Sequence, residues 1–301
     1  MGPGIGVLLP SGNELRSETF WGGTRDEVGH LLRVVDDTGR PPGELASVQD
    51  VTGGLGDPSA VAVASNGDVY VTDYGPGAPG KGRLFKLVGG AGRPVTVATG
   101  LTYPTGVAVA SNGDVYIAES IANADPRRLV KLAGGAGRLV EIATGLLRPS
   151  GVAVGSNGDV YITEFEAGRV LKLVGGTGSP VVVATGLNNP RFVAVASTGD
   201  VYITVPGRVL KLVGGTGSLV EVTTELTFPT GVAVGSTGDV YILDYNIGFL
   251  MKMVGGVGSP VTVAAGFRSP SGVAVRGTGV VYIIQDISFG RFKPLNTLVG
   301  W

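Results

Sequence analysis

The chain has 301 residues, with 23 Lys and Arg against 24 Asp and Glu, one histidine and no cysteine. That balance supplies neither a basic surplus for a nucleic-acid partner nor an acidic disordered tail, and the lack of cysteine excludes disulfides, thiolate metal sites and a cysteine nucleophile. Val and Gly are abundant, apolar residues nowhere recur at helical spacing, and no apolar run approaches the roughly 18 residues that cross a bilayer. All-β structure is expected, with no membrane partner.

The opening MGPGIGVLLPSGNELRS has neither the basic nor the apolar region of an export signal. The cytoplasm is therefore the default compartment, and a secreted form trimmed of its signal would read the same way. Residues 4–20 admit a reading as a decayed strand pair. That reading would set Arg16 and Glu18 between packed sheets, where unpaired charges cost several kcal/mol. Residues 29–55 read as two strands. From there the chain repeats itself: GDVY recurs with its aspartate at 68, 114, 159, 200 and 239, in steps of 46, 45, 41 and 39, and TGVVY (278–282) is a sixth copy. A period near 40 residues marks a solenoid or propeller. In the third unit four short strands, a to d, are GVAV (151–154), DVYIT (159–163), RVLKLV (169–174) and PVVVAT (180–185). Asn-Gly turns join a to b, and glycine-rich turns closed by proline join c to d.

Four-stranded sheets that are apolar on both faces cannot stand alone, and radial stacking buries those faces. The expected architecture is a single-domain, six-bladed β-propeller of four-stranded antiparallel blades. Strands from 29–55 join those from 270–301 in one blade to close the ring, with 1–28 as an extra N-terminal segment. Seven blades, using 4–20, is the alternative. The unit P-[ST]-G-V-A-V-x-x-x-G-D-V-Y-[IV]-x-[DE]-x-x-x-x-R-V-x-K-L resembles the NHL repeat over about residues 58–300. The resemblance implies a propeller whose relatives serve as protein- or RNA-binding platforms, sensor domains, lyases, lactonases or Pictet–Spengler synthases, so fold alone assigns no activity.

Comparison among the repeats separates structure from departures. Tyr70, Tyr116, Tyr161, Tyr202, Tyr241 and Tyr282 hold one strand-b position and read as packing between blades. The lysines of strand c (86, 131, 172, 211 and 252), one per blade, read as snorkelling stems. The GGxG runs are turns, because no helix follows them to cradle a phosphate.

The d-to-a and b-to-c connectors share one face around the channel mouth, where propeller ligands bind. Tyr74, Tyr103 and Tyr245 lie there, as do Phe165, Phe228, Phe267 and Phe289. So do the residues before each d-to-a proline, among them Arg148 and Asn189. Strand b ends in a carboxylate at Asp73, Glu119, Glu164 and Asp244, with Asp286 one place late. A structural part in the repeat is the plain reading; a ring of acids at the mouth is the sharper one. Unit four departs most. PRFVAV replaces P-[ST]-G-V-A-V and sets Arg191 and Phe192 at the rim, while Val205 replaces the acid. Pairing of Arg191 with Glu164 or Asp244 comes first, and clamping of a ligand anion second. Glu225, where other units have glycine, is a second break. His30 reads as a rim residue and cannot alone build a zinc site.

The expected function is a monomeric binding module taking a small amphipathic ligand, an amine suiting the aromatic and acidic mouth, or a peptide. Its binding residues are Arg191, Phe192, Tyr74, Tyr103, Arg148, Phe165, Asn189, Phe228, Tyr245, Asp73 and Asp286. The alternative is a stand-alone enzyme, a lyase, cyclase or lactonase-like hydrolase, with Glu119, Glu164 or Asp244 as acid or base. No metal site or cofactor is expected. Calcium, which the related lactonases hold, has no motif of its own here, and an acidic mouth would repel nucleic acid.

Overall fold

The computed structural model describes residues 29–36, 44–75, 79–121 and 124–286. Two strands, β1 (Gly29–Val35) and β2 (Val48–Leu55), come first in the chain but complete the last blade. Blade one is β3 (Pro58–Val63), β4 (Val69–Asp73), β5 (Gly82–Leu87) and β6 (Val95–Leu101). Blade two is β7 (Pro104–Val109), β8 (Val115–Ile121), β9 (Ala124–Leu132) and β10 (Leu139–Ala143). Blade three is β11 (Pro149–Val154), β12 (Val160–Glu164), β13 (Arg169–Leu173) and β14 (Val181–Ala184). Blade four is β15 (Val193–Val195), β16 (Val201–Val205), β17 (Arg208–Leu212) and β18 (Leu219–Thr223). Blade five is β19 (Pro229–Val234), β20 (Val240–Asp244), β21 (Phe249–Met253) and β22 (Val261–Ala265). Blade six combines β23 (Pro270–Arg276) and β24 (Val280–Asp286) with β1 and β2. The β1–β24 pairing runs from Gly29 opposite Asp286 to Val35 opposite Val280. Six blades thus close the ring. The seven-bladed alternative rests on residues 4–20, which lie outside the described residues, as do Arg16, Glu18 and Phe289.

The repeated letters have local causes. In blade three the Asn157 amide donates to Asp159, and its oxygen accepts the Asp159 N–H at 3.1 Å; Gly158 turns the chain at φ +84°. Asp159 also accepts the Gly175 N–H from the 3₁₀ turn after β13 and pairs with Lys172 at 2.5 Å. The GD of blades one to four therefore binds two turns and a lysine at the face opposite the mouth. Lys86–Asp68, Lys131–Asp114 and Lys211–Asp200 repeat the pair.

No blade has a core of its own. Each of six buried clusters draws on two neighbouring blades; one joins Tyr116, Leu129 and Ala118 of blade two to Val160, Ile162 and Leu173 of blade three. The strand-b tyrosine crosses that interface. Its hydroxyl meets a glycine of the next blade's 3₁₀ turn: Tyr282 meets Gly90, Tyr70 Gly135, Tyr116 Gly176, Tyr161 Gly215 and Tyr202 Gly256. In blade six Asp36 accepts from Tyr241 at 2.9 Å and from Lys252 at 2.6 Å. The N-terminal strand thereby reproduces the repeat's contact with a different side chain. His30 is buried, 2.5 Å from Asp50 through Nδ1, and is not a rim residue. Among the described residues no helix is long and apolar enough to cross a membrane.

Two expectations follow. A Cβ at Gly135 would lie 2.5 Å from the Tyr70 hydroxyl with φ at +68°, whereas one at Gly134, φ +58°, would meet nothing. Gly134→Ala should cost about 1 kcal/mol of backbone strain and Gly135→Ala at least about 2 more, read from urea midpoints. Burial acts to raise the carboxyls of Asp68, Asp114 and Asp159, but their lysines and the backbone N–H and amide donors outweigh it and hold them below the usual value. As pH falls the unfolded chain takes up these protons first. Stability should therefore hold above about pH 5 and fall below about pH 4, with a shallower slope in Asp159→Asn.

Candidate functional site

Backbone hydrogen bonds tie the two connectors of each blade together at the mouth. The Tyr74 N–H donates to the Asp57 carbonyl, Ser120 to Tyr103, Phe165 to Arg148 and Tyr245 to Phe228, at 2.9 to 3.1 Å. These bonds set side chains of d-to-a and b-to-c connectors beside one another around a cavity of about 840 Å³. Tyr74, Tyr103, Arg148, Phe165, Arg191, Phe192, Phe228 and Tyr245 all line it. In a six-bladed ring, blades three apart face each other. Tyr74 and Tyr103, with ring centres 6.0 Å apart, thus stand across from Arg191, Phe228 and Tyr245, the last two 6.1 Å apart edge to face. Asn189 is exposed and outside the cavity lining, Phe267 is buried in the cluster between blades five and six, and the Asp286 side chain lies outside the described residues.

The strand-b acids do not line the cavity. Asp73, Glu119, Glu164 and Asp244 are 0% exposed and turn into their own connectors. Asp73 accepts N–H groups from Gly56, Asp57 and Gly75 and pairs with Arg83 at 3.1 Å. Glu119 accepts from Thr102 and pairs with Arg128, and Glu164 accepts from Leu147 and pairs with Arg169. Asp244 accepts from the Thr227 N–H and hydroxyl and from the Phe228 and Asn246 N–H groups. Their geometry matches the structural reading: they cap the loop that precedes each proline. In blade six Gln285, opposite Pro270, does this by accepting from Arg268, so the equivalent residue is Gln285 and not Asp286. Among the described residues no group of three His, Asp or Glu side chains converges as a metal cage would require.

In four blades the Ser or Thr after the proline has a second job that the sequence does not display. Ser59 donates to the Pro104 carbonyl, Thr105 to Pro149 at 2.9 Å, Ser150 to Pro190 at 3.1 Å and Thr230 to Pro270 at 2.9 Å. Each bond links a blade to the next around the channel. At blade four the position is Arg191, which has no such hydroxyl.

Arg191 pairs with neither Glu164 nor Asp244, contrary to the sequence expectation; both acids are committed elsewhere. Its guanidinium carbon lies 5.3 Å from the Phe165 ring centre and 4.6 Å from that of Phe228, and Arg148 lies 4.4 Å from Phe165. Its Nε is buried without a hydrogen-bond partner. Burial, and then the charge of Arg148, lowers its pKa from the ordinary arginine value. Across the cavity, burial and the charge of Asp57 raise the Tyr74 phenol to about 12 against the opposing pull of Arg148, so it stays a neutral donor. The mouth has two cations and one carboxylate, Asp57, among its lining residues. The acidic mouth expected from the sequence is replaced by a basic one.

The residue before the proline is also unusual. Tyr103, Arg148, Asn189 and Ser269 have φ of +47°, +54°, +45° and +44°, a left-handed backbone that glycine would adopt more easily. Tyr103, Arg148 and Ser269 project side chains into the cavity from these strained positions, a pattern that clusters at functional sites.

The family model for the NHL repeat matches residues 146–173, from the mouth connector of blade three to the end of β13. The chain is a six-bladed β-propeller that carries an NHL repeat. Among solved structures, this NHL propeller is similar to a chain of a nidogen/laminin complex, with a TM-score of 0.65 at 14% identity, covering 82% of this chain and 97% of that one. It is also similar to virginiamycin B lyase from Staphylococcus aureus (0.54, 17%, covering 73% and 75%) and to a streptogramin B lyase (0.56, 16%, covering 85% and 98%). At these identities the likeness is one of fold. No curated protein matches the sequence.

Arg191→Thr should restore the missing bond between blades four and five, to the Pro229 carbonyl, and remove a half-buried guanidinium. We expect the variant to be more stable than wild type by about 1 kcal/mol, seen as a higher urea midpoint.

Proposed function

We propose that this NHL propeller is a binding module that takes one small amphipathic molecule into the mouth. The apolar body lies between the tyrosines of blades one and two and the rings of blades three to five. One observation carries this reading: blade four gives up the interblade hydroxyl and places Arg191 and Phe192 against the cavity. A repeat that breaks its own rule where a pocket opens is the pattern of a site kept for use at a cost in stability. The volume of about 840 Å³ falls within the range of small-ligand pockets and argues for a compact ligand over an extended peptide. The acids that an enzymatic reading would use, Glu119, Glu164 and Asp244, are committed to backbone donors behind the wall, so binding is favoured over catalysis.

A neutral fluorescent probe tests the pocket. N-phenyl-1-naphthylamine should bind saturably at one site per chain, and Phe228→Ala or Tyr103→Ala should weaken it about tenfold, the loss expected for a buried aromatic contact. Unsaturable binding, or equal binding by both variants, would refute the reading.

A further inference from the structure

Resting on that reading of the mouth, we infer that the ligand carries a carboxylate, which Arg191 and Arg148, both in contact with the Phe165 ring, grip together. Four observations support this. The first is charge. Arg83, Arg127, Arg128, Arg169 and Arg208 each have an acid partner; Arg148 and Arg191 are among the described arginines that have none, and of these they are the two that line the cavity. Both contact one ring, Phe165, at 4.4 and 5.3 Å, and the charge of Arg148 acts on Arg191, so two positive charges are held close together. An incoming carboxylate removes that repulsion.

The second is the unmet donor. The Nε of Arg191 is buried without an acceptor, and a buried N–H left unpaired costs about 1–3 kcal/mol. Arg33 and Arg83 also leave their Nε unmatched, but Arg83 pairs through Nη2 with Asp73 and neither lines the cavity. For Arg191 the missing acceptor has to come from the cavity.

The third is the geometry of the donors that remain. Ser59, Thr105, Ser150 and Thr230 line the cavity but spend their protons on proline carbonyls of the next blade. The charged donors left are two planar guanidinium forks, beside the neutral phenols and the hydroxyls of Ser120, Ser269 and Ser271. A flat, two-oxygen acceptor suits a fork edge. A phosphate monoester, with three oxygens in tetrahedral array, fits a planar fork edge less closely and is the competitor that the titration separates.

The fourth excludes the amine that the sequence alone suggested. Guanidinia already stand over Phe165 and Phe228, so an ammonium group would meet two cations in place of an open ring face.

The test is calorimetric titration of wild type, Arg191→Gln and Arg148→Gln with four ligands of one shape: naphthalene-2-carboxylate, naphthalene-2-carboxamide, 2-naphthylmethylamine and 2-naphthyl phosphate. The carboxylate should bind wild type at least about tenfold tighter than the carboxamide, as charge-assisted bonds require. That gap should shrink to about twofold or less in Arg191→Gln and narrow in Arg148→Gln. Arg148 is exposed, so its variant serves as the check if Arg191→Gln unfolds. Amide or amine binding equal to the acid, tighter binding of the phosphate, or an unchanged gap in both variants would overturn the carboxylate and leave the pocket standing. If all four fail while N-phenyl-1-naphthylamine binds, the carboxylate falls alone; if that probe fails too, the pocket reading falls with it.

Discussion

Everything in this molecule rests on burial between blades. A four-stranded sheet with apolar residues on both faces gains nothing in water, and each buried cluster here exists only because two sheets meet. The strand-b tyrosine gives that contact a register. Its ring fills the interface, and its hydroxyl lands on a turn with room for no side chain. The glycine of each 3₁₀ turn is thus selected by a tyrosine of the adjoining blade, from Tyr70 for Gly135 to Tyr282, near the other end of the described chain, for Gly90. In blade six Asp36 takes the Tyr241 hydroxyl.

A second ring of contacts runs around the channel, made of Ser and Thr hydroxyls reaching the next blade's proline carbonyl. Its interruption at Arg191 joins fold to function. One position leaves the structural ring and its side chain enters the cavity, where aromatic faces steady the charge in place of a carboxylate. Cation–π contacts are worth about 1 kcal/mol at exposed sites and more when desolvated. They hold a guanidinium without using its N–H groups, which a salt bridge would occupy. The nearby acids cap loops and stay out of the mouth, so the cavity keeps its positive character.

Much of the fold was legible. Spacing of GDVY and the tyrosines located the strands and the number of blades, because packing repeats whenever the sheet repeats. The likeness of residues 29–55 to strands c and d led to the β1–β24 pairing. The site was half legible. Arg191 and Phe192 stood out as letters that break the repeat, and the surplus tyrosines did gather at the mouth. The rest depended on directions that letters do not carry. Whether Glu164 points into the channel or back into its loop is decided by the pleat at the end of β12. The substitution of Gln285 for an acid is visible only from its pairing with Pro270. The hydroxyl ring is a contact between residues about 40 apart, and the left-handed backbone at Arg148 has no glycine to announce it.

The shared blade also shapes how the chain must assemble. Blades one to five are each continuous in sequence and need only local hairpins, but the sixth waits for β24 to meet β1 across some 250 residues. Until that meeting, blades one and five each present a bare valine- and leucine-rich flank to the solvent. An interrupted chain, however well its hairpins have formed, keeps two sticky sides that only its own ends can cover.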